Sequence, residues 1–241
     1  MIKRKLIGVL TPSSNTALEP LTSAMVASVS GVSAHFARFE VTEISLSDAS
    51  LSQFNESKIL EAARLLADAR VDVICWSGTS SSWLGFERDE QLCAAISKAT
   101  GIPATTSVLA LNELLTAARV RTLGLVTPYV DDVQQRIVTN YRSIGVDCTA
   151  ERHLGISINF EFADVEPEIL KKMAREVATT HPDAITMLCT NLRSAQLVEG
   201  LEQELGFPVF DSTATVIWKA LKLIGADTCE VRGWGRMFCE F

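Results

Sequence analysis

At 241 residues the chain is long enough for one large or two small domains with ample surface to bury. Its composition, 47% hydrophobic and 21% charged, is that of an ordinary globular enzyme, and no run approaches the roughly 18 apolar residues of a membrane span. A net charge of −7 argues against a nucleic-acid surface, which needs a basic excess, but not against an anionic small molecule in a locally positive pocket.

The N-terminus starts basic at Lys3-Arg4-Lys5, but its apolar stretch breaks at Thr11-Pro12, too soon for a signal-peptide core. It reads as a first strand, Leu6–Leu10, of a cytoplasmic protein. A helical pattern over Lys58–Ala69 leads to a strand at Val71–Trp76, then a helix at Asp89–Ala99 and a strand at Thr122–Val126. Helices at Asp131–Ile144 and Pro167–Thr180 precede a strand at Ala184–Leu188. A helix at Ser194–Leu205 and a short strand at Pro208–Phe210 follow. Ser212 to about Gly225 reads as a helix returning to the first half. Such strand–helix alternation predicts an α/β fold with parallel sheets.

The pattern also repeats. Ile7-Gly-Val-Leu-Thr-Pro12 is echoed by Leu123-Gly-Leu-Val-Thr-Pro128, the strand ending at Trp76-Ser-Gly-Thr-Ser80 by the one ending at Leu188-Cys-Thr-Asn191, and Gly101-Ile-Pro103 by Gly206-Phe-Pro208. Two similar Rossmann-like (flavodoxin-like) lobes related by a pseudo-two-fold follow, the first from residues 1–118 plus 212–241 and the second from 119–211. The loops after the strands, Thr11–Thr16, Gly78–Ser82, Thr127–Asp131 and Cys189–Arg193, should converge on a cleft between them.

The first of these loops, with Pro12, Ser14 and Asn15, is either a turn with an N-cap or a cradle for a carboxylate. Gly78 followed by Thr79 and Ser80 offers open backbone and hydroxyls. Cys189 stands where a strand ends and a Thr-Asn-Leu-Arg stretch reads as a helix start, a setting that favours the thiolate. Tyr129 is either an oxyanion donor or a half-buried aromatic, and Asn159 either a turn residue or a ligand contact. Cys75 falls inside a strand and reads as core. The six cysteines form no CxxC pair and have no close histidines, so neither a metal site nor disulfides are expected. The three histidines, 35, 153 and 181, are scattered. No Gly-x-Ser-x-Gly elbow and no nucleotide-binding glycine motif is present.

The paired halves, Thr11-Pro-Ser-Ser-Asn-Thr16, the Gly78-Thr-Ser80 loop, Tyr129 with Asp131-Asp132, and Cys189-Thr-Asn-Leu-Arg193 resemble the aspartate/glutamate racemase superfamily. Within it they are most similar to the arylmalonate decarboxylases and maleate cis-trans isomerases, over nearly the whole length. The resemblance implies one cysteine per lobe on opposite faces of the substrate. Cys189 matches the second, whereas Gly78 stands at the first, as in the decarboxylases. It further implies an oxyanion site built from Thr79, Ser80, Tyr129 and the N–H of Thr190, with Asn15 and Asn159 at positions that contact carboxylates in maleate isomerases.

The expected activity is cofactor-independent decarboxylation of a disubstituted malonate-like acid, with Cys189 protonating the enediolate. An isomerase or racemase acting on a small dicarboxylate is the alternative. A non-catalytic carboxylate-binding protein is a third. The expected partner is a small carboxylate or dicarboxylate, with no nucleic acid, membrane, metal or organic cofactor; association into a homo-oligomer is left open.

Overall fold

The computed structural model describes residues 4–54 and 56–241. In chain order its elements are β1 (Lys5–Pro12), α1 (Leu18–Val26), β2 (Val32–Phe39), α2 (Asp48–Ser52), α3 (Glu56–Asp68), β3 (Val73–Trp76), α4 (Ser81–Leu84), α5 (Glu87–Thr100), β4 (Ala104–Thr106) and α6 (Ser107–Ala117). The second half continues with β5 (Thr122–Val126), α7 (Asp131–Ser143), β6 (Asp147–Arg152), α8 (Pro167–Ala178), β7 (Ala184–Met187), α9 (Val198–Leu205), β8 (Val209–Asp211), α10 (Ser212–Leu223) and α11 (Met237–Glu240).

The strands form two four-stranded parallel sheets with the same order, β2-β1-β3-β4 and β6-β5-β7-β8. Each central strand, β1 or β5, is buried because it lies between two neighbours, which accounts for the apolar runs that announce them. Gly8 and Gly124 occupy matching places in the two runs. A Cβ on Gly8 would come within 2.9 Å of Val71 and 3.2 Å of Leu66, and one on Gly124 within 3.0 Å of Val177. Each glycine therefore lets a helix, α3 or α8, close onto its sheet. In each sheet the strand order reverses between its first and third strands, β1/β3 and β5/β7. At such a switch point the loops leaving the strands diverge and open a crevice.

The elements missing from the sequence reading are the edge strands β2, β4 and β6 and the helices α1, α2, α4, α6 and α11. β2 and β6 each pair on one side only and are half-exposed over much of their length, so their sequences alternate with charge and carry no apolar run. α10 runs back to pack on α1, α6, β3 and β4, as the sequence predicts. Its residues Ser212–Ile217, Trp218, Ala220 and Leu221 are buried. Asp211 caps it, accepting from the N–H groups of Thr213 (2.8 Å) and Ala214 (3.1 Å).

One expectation is corrected: Cys229 and Cys239 form a disulfide, their Cα atoms 4.7 Å apart. The segment after α10 folds back so that Met237 and Phe238 are buried, and that packing brings the two sulfurs together. A ten-residue spacing with no motif gives no hint of it in the sequence. Among the described residues, no helix is long and apolar enough to cross a membrane.

Candidate active site

Four loops meet between the sheets. The junction of β1 with its loop supplies Pro12, the loop after β3 supplies Gly78, Thr79 and Ser80, the loop after β5 supplies Tyr129, and the loop after β7 supplies Cys189 and Thr190; all line one small cavity with Asn159. Asn15 and Ser14 are not on its wall. They stand one layer behind, where the Asn15 amide donates to Thr190 Oγ1 at 3.3 Å and Ser14 Oγ accepts from Asn159 Nδ2 at 2.7 Å. Asn15 also caps α1 through Oδ1, which accepts from the N–H groups of Ala17 (3.0 Å) and Leu18 (2.9 Å). Their effect on a bound molecule would pass through Thr190 and Asn159.

Asn191 fastens the seam. Its Oδ1 accepts from the N–H groups of Thr16 (2.9 Å) and Ala17 (3.2 Å), and its Nδ2 donates to the carbonyl of Asn159 at 2.5 Å. It thus ties the loop after β7 both to the start of α1 and to the 3-10 turn Asn159–Asp164.

Cys189 does not start a helix, contrary to the sequence reading. The loop runs on through Arg193, and α9 begins only at Val198. The sulfur nonetheless accepts from the N–H of Asn191 at 3.4 Å and hydrogen-bonds with Tyr129. The expectation of a lowered thiol pKa is also corrected. Burial dominates these contacts and pushes the Cys189 thiol up to about 11, so it stays protonated at neutral pH. Burial likewise holds the Tyr129 phenol well above its usual range. The Tyr129 and Thr79 hydroxyls are 2.7 Å apart. Behind the loop, buried Asp211 accepts from Ser194 Oγ at 2.5 Å.

Cys75 lies within β3, paired with Val9 and Thr105, is fully buried, and is not on the cavity wall. Cys189 is the one cysteine among the described lining residues.

The remaining wall went unread in the sequence. Val41, Ile44 and Phe54 belong to a flap between β2 and α3. The flap clips onto the second lobe: the Ile44 N–H donates to Ser157 O (2.8 Å) and the Asn159 N–H donates to Thr42 O (3.0 Å), either side of a bridge between Glu43 and Ile158. Under it the cavity measures only about 20 Å³, room for little more than one water. Trp76 and Trp83 complete the lining. A Cβ on Gly78 would fall 2.1 Å from Trp76 Cζ2, so the space beside this glycine is filled by indole and is not open backbone. Among the described residues, no group of three or more His, Cys, Asp or Glu is placed to hold a metal ion.

The family model for arylmalonate decarboxylase matches residues 7–238. Arylmalonate decarboxylase of Bordetella bronchiseptica is 31% identical over 185 residues, covering 76% of this chain and 77% of that protein. Maleate isomerase of Geobacillus stearothermophilus is 24% identical over 241 residues, 95% of each. The structure of Nocardia farcinica maleate cis-trans isomerase with a covalently bound succinylcysteine intermediate superposes with a TM-score of 0.90 at 24% identity, covering 98% of this chain and 99% of that one. Two sheets of the same order, a cleft at their switch points and a match over nearly the whole length agree: the chain belongs to the arylmalonate decarboxylase family.

Proposed function

We propose that the protein is a cofactor-independent carboxy-lyase that removes carbon dioxide from a malonate-type diacid and protonates the resulting enediolate from Cys189. The observation that carries this reading is a single thiol on the cavity wall, with indole filling the place beside Gly78 where a second acid/base would stand. Racemisation and thiol-mediated isomerisation in this superfamily call for two groups on opposite faces; decarboxylation needs one proton donor.

The step balances as follows. The Cα–carboxylate bond breaks and carbon dioxide leaves with no added electrons, its bonding pair remaining on Cα as the enediolate of the surviving carboxylate. The Cys189 S–H proton goes to Cα, giving a monocarboxylate and a thiolate that regains its proton from water. The surviving carboxylate would sit against the Thr79 and Tyr129 hydroxyls, Ser80 and the Thr190 N–H. These fixed donors meet the charge as it develops. The departing carboxylate would face Pro12, Val41, Ile44 and Phe54, an apolar wall that favours the neutral product. A thiol held protonated by burial suits a donor better than a base or nucleophile.

A second reading, isomerisation of a small dicarboxylate, is supported by buried Asn159 on the wall with Asn15 behind it. The test is incubation with methylmalonate, phenylmalonate and maleate. Carbon dioxide release from a malonate, reduced at least 10²-fold by Cys189→Ser, is the expected result. Fumarate from maleate without any decarboxylation would transfer the assignment to the isomerases.

A further inference from the structure

Trp76 lies at the end of β3, buried against Phe39 with ring centroids 5.0 Å apart. Its benzo ring takes the volume that a side chain at position 78 would need: Cζ2, Cε2 and Cη2 lie 2.1, 2.3 and 2.6 Å from an ideal Gly78 Cβ. The same indole has a second neighbour. It also lines a cavity of about 100 Å³, where Ile59, Leu84 and Leu92 stand with the polar Glu56, Arg88, Asp89 and Gln91. Trp76, Phe54 and Ser80 are common to the walls of both cavities. Phe54 belongs to the flap, whereas Trp76 belongs to a central strand and is held by the sheet.

We propose that Trp76 is the specificity-determining residue of this site: it fills the first-lobe half opposite Cys189, restricts the wild-type protein to compact diacids, and separates the site from a chamber that would otherwise take an aryl substituent. The inference rests on the carboxylate-processing reading above and deepens it by naming the substrate class. The indole N–H is far too weak an acid to serve as a general acid, so the same residue would leave Cys189 as the only thiol facing the reacting carbon. Shortening the side chain would join the two cavities and free the position beside Gly78.

Two measurements test this on the full chain. In a Cys189→Ala background, which cannot deliver the proton, methylmalonate and phenylmalonate are titrated by calorimetry. We expect methylmalonate to bind at least about 10-fold more tightly than phenylmalonate. Adding Trp76→Ala should raise phenylmalonate affinity at least about 10-fold, and Trp76→Leu, which keeps more of the packing, should give an intermediate gain. Equal affinities for the two diacids in the parent, or a ratio unmoved by either Trp76 variant, would overturn the size assignment. Failure of both diacids to bind any variant would instead overturn the functional reading and the size assignment with it.

The steric half is read by melting temperature, whatever the substrate. Gly78→Cys alone should lower Tm by roughly 3–10 °C, as overpacking against a fixed ring does. In a Trp76→Ala background the same change should cost little further. A Gly78→Cys protein that melts like wild type would overturn the claim that the indole owns this space.

Discussion

The Tyr129 hydroxyl, on the loop after β5, lies 2.7 Å from Thr79 Oγ1, on the loop after β3, so the two halves of the duplicated fold touch hydroxyl to hydroxyl at the wall of the cavity. The same phenol bonds to the Cys189 sulfur. One side chain therefore spans the donor loop of one lobe and the proposed oxyanion loop of the other. Tyr129→Phe is expected to lower kcat by about 10²-fold, the scale of losing one oxyanion donor, with a smaller effect on KM. A kcat within twofold of wild type, measured by carbon dioxide release, would remove Tyr129 from the proposed machinery.

Burial of Cys189 makes a chemical prediction independent of substrate. With its thiol at about 11, alkylation by iodoacetamide should be slow at pH 7 and accelerate only above about pH 10. Mass spectrometry of the peptide containing residue 189 reads this directly. Rapid modification at pH 7 would show that the N–H of Asn191 and the hydroxyl of Tyr129 outweigh desolvation.

Asn191 makes three hydrogen bonds, two across the seam to Thr16 and Ala17 and one within its own lobe to Asn159, all in buried or part-buried surroundings. Asn191→Ala leaves the Thr16 N–H and the Asn159 carbonyl without that partner, while the Ala17 N–H keeps Asn15 Oδ1; at about 1–3 kcal/mol for each buried unsatisfied group this predicts a loss of about 2–4 kcal/mol. Denaturant unfolding checks it. A loss below about 1 kcal/mol would mean that water replaces the amide.

Two carboxyls are buried almost completely, Asp89 at the start of α5 and Asp211 at the start of α10. Burial raises both from an ordinary 3.8 to about 6. Between those values the folded protein holds protons that the unfolded chain has released. Stability therefore falls as pH rises from about 4 to 6 and levels off above, by on the order of 2–3 kcal/mol for each group. Asp183 opposes them at the acid end: the N–H groups of Arg121 and Thr122 lower its pKa, so its contribution is lost as pH falls below about 4. Melting temperature should accordingly peak nearer pH 5 than pH 7, and the double variant Asp89→Asn/Asp211→Asn should flatten the alkaline side of that peak. An unchanged slope would show that neither carboxyl titrates in this window.

Much of this architecture was legible in the residues. The two Gly-containing apolar runs marked β1 and β5, because a strand buried on both sides and approached by a helix must be apolar and must have glycine at the contact. The four post-strand loops, and with them Pro12, Gly78, Thr79, Ser80, Tyr129, Cys189, Thr190 and Asn159, came from that repeat together with the family resemblance. What was not legible depends on surroundings that sequence does not carry. The flap residues Val41, Ile44 and Phe54 sit in a stretch with no strong period and matter only because they fold over the cleft. The sequence reads Cys189 as the start of a helix, which would lower its thiol, but no helix begins there and burial raises it. Gly78 looked like open backbone because the side chain that fills its space, two residues earlier, looked like core.

The return of α10 to the first sheet has a consequence for biogenesis. Thr215 Oγ1 donates to the carbonyl of Ser107 at 3.1 Å, and the helix roofs α1 and α6, so the half of the molecule made first awaits a piece translated after the second half is complete. A chain ending at residue 211 would keep all eight strands of the two sheets yet leave α1 and α6 without the helix that packs on both. The first lobe therefore cannot close its core until α10 has been made, whereas the sheet of the second lobe is complete one residue before that helix begins.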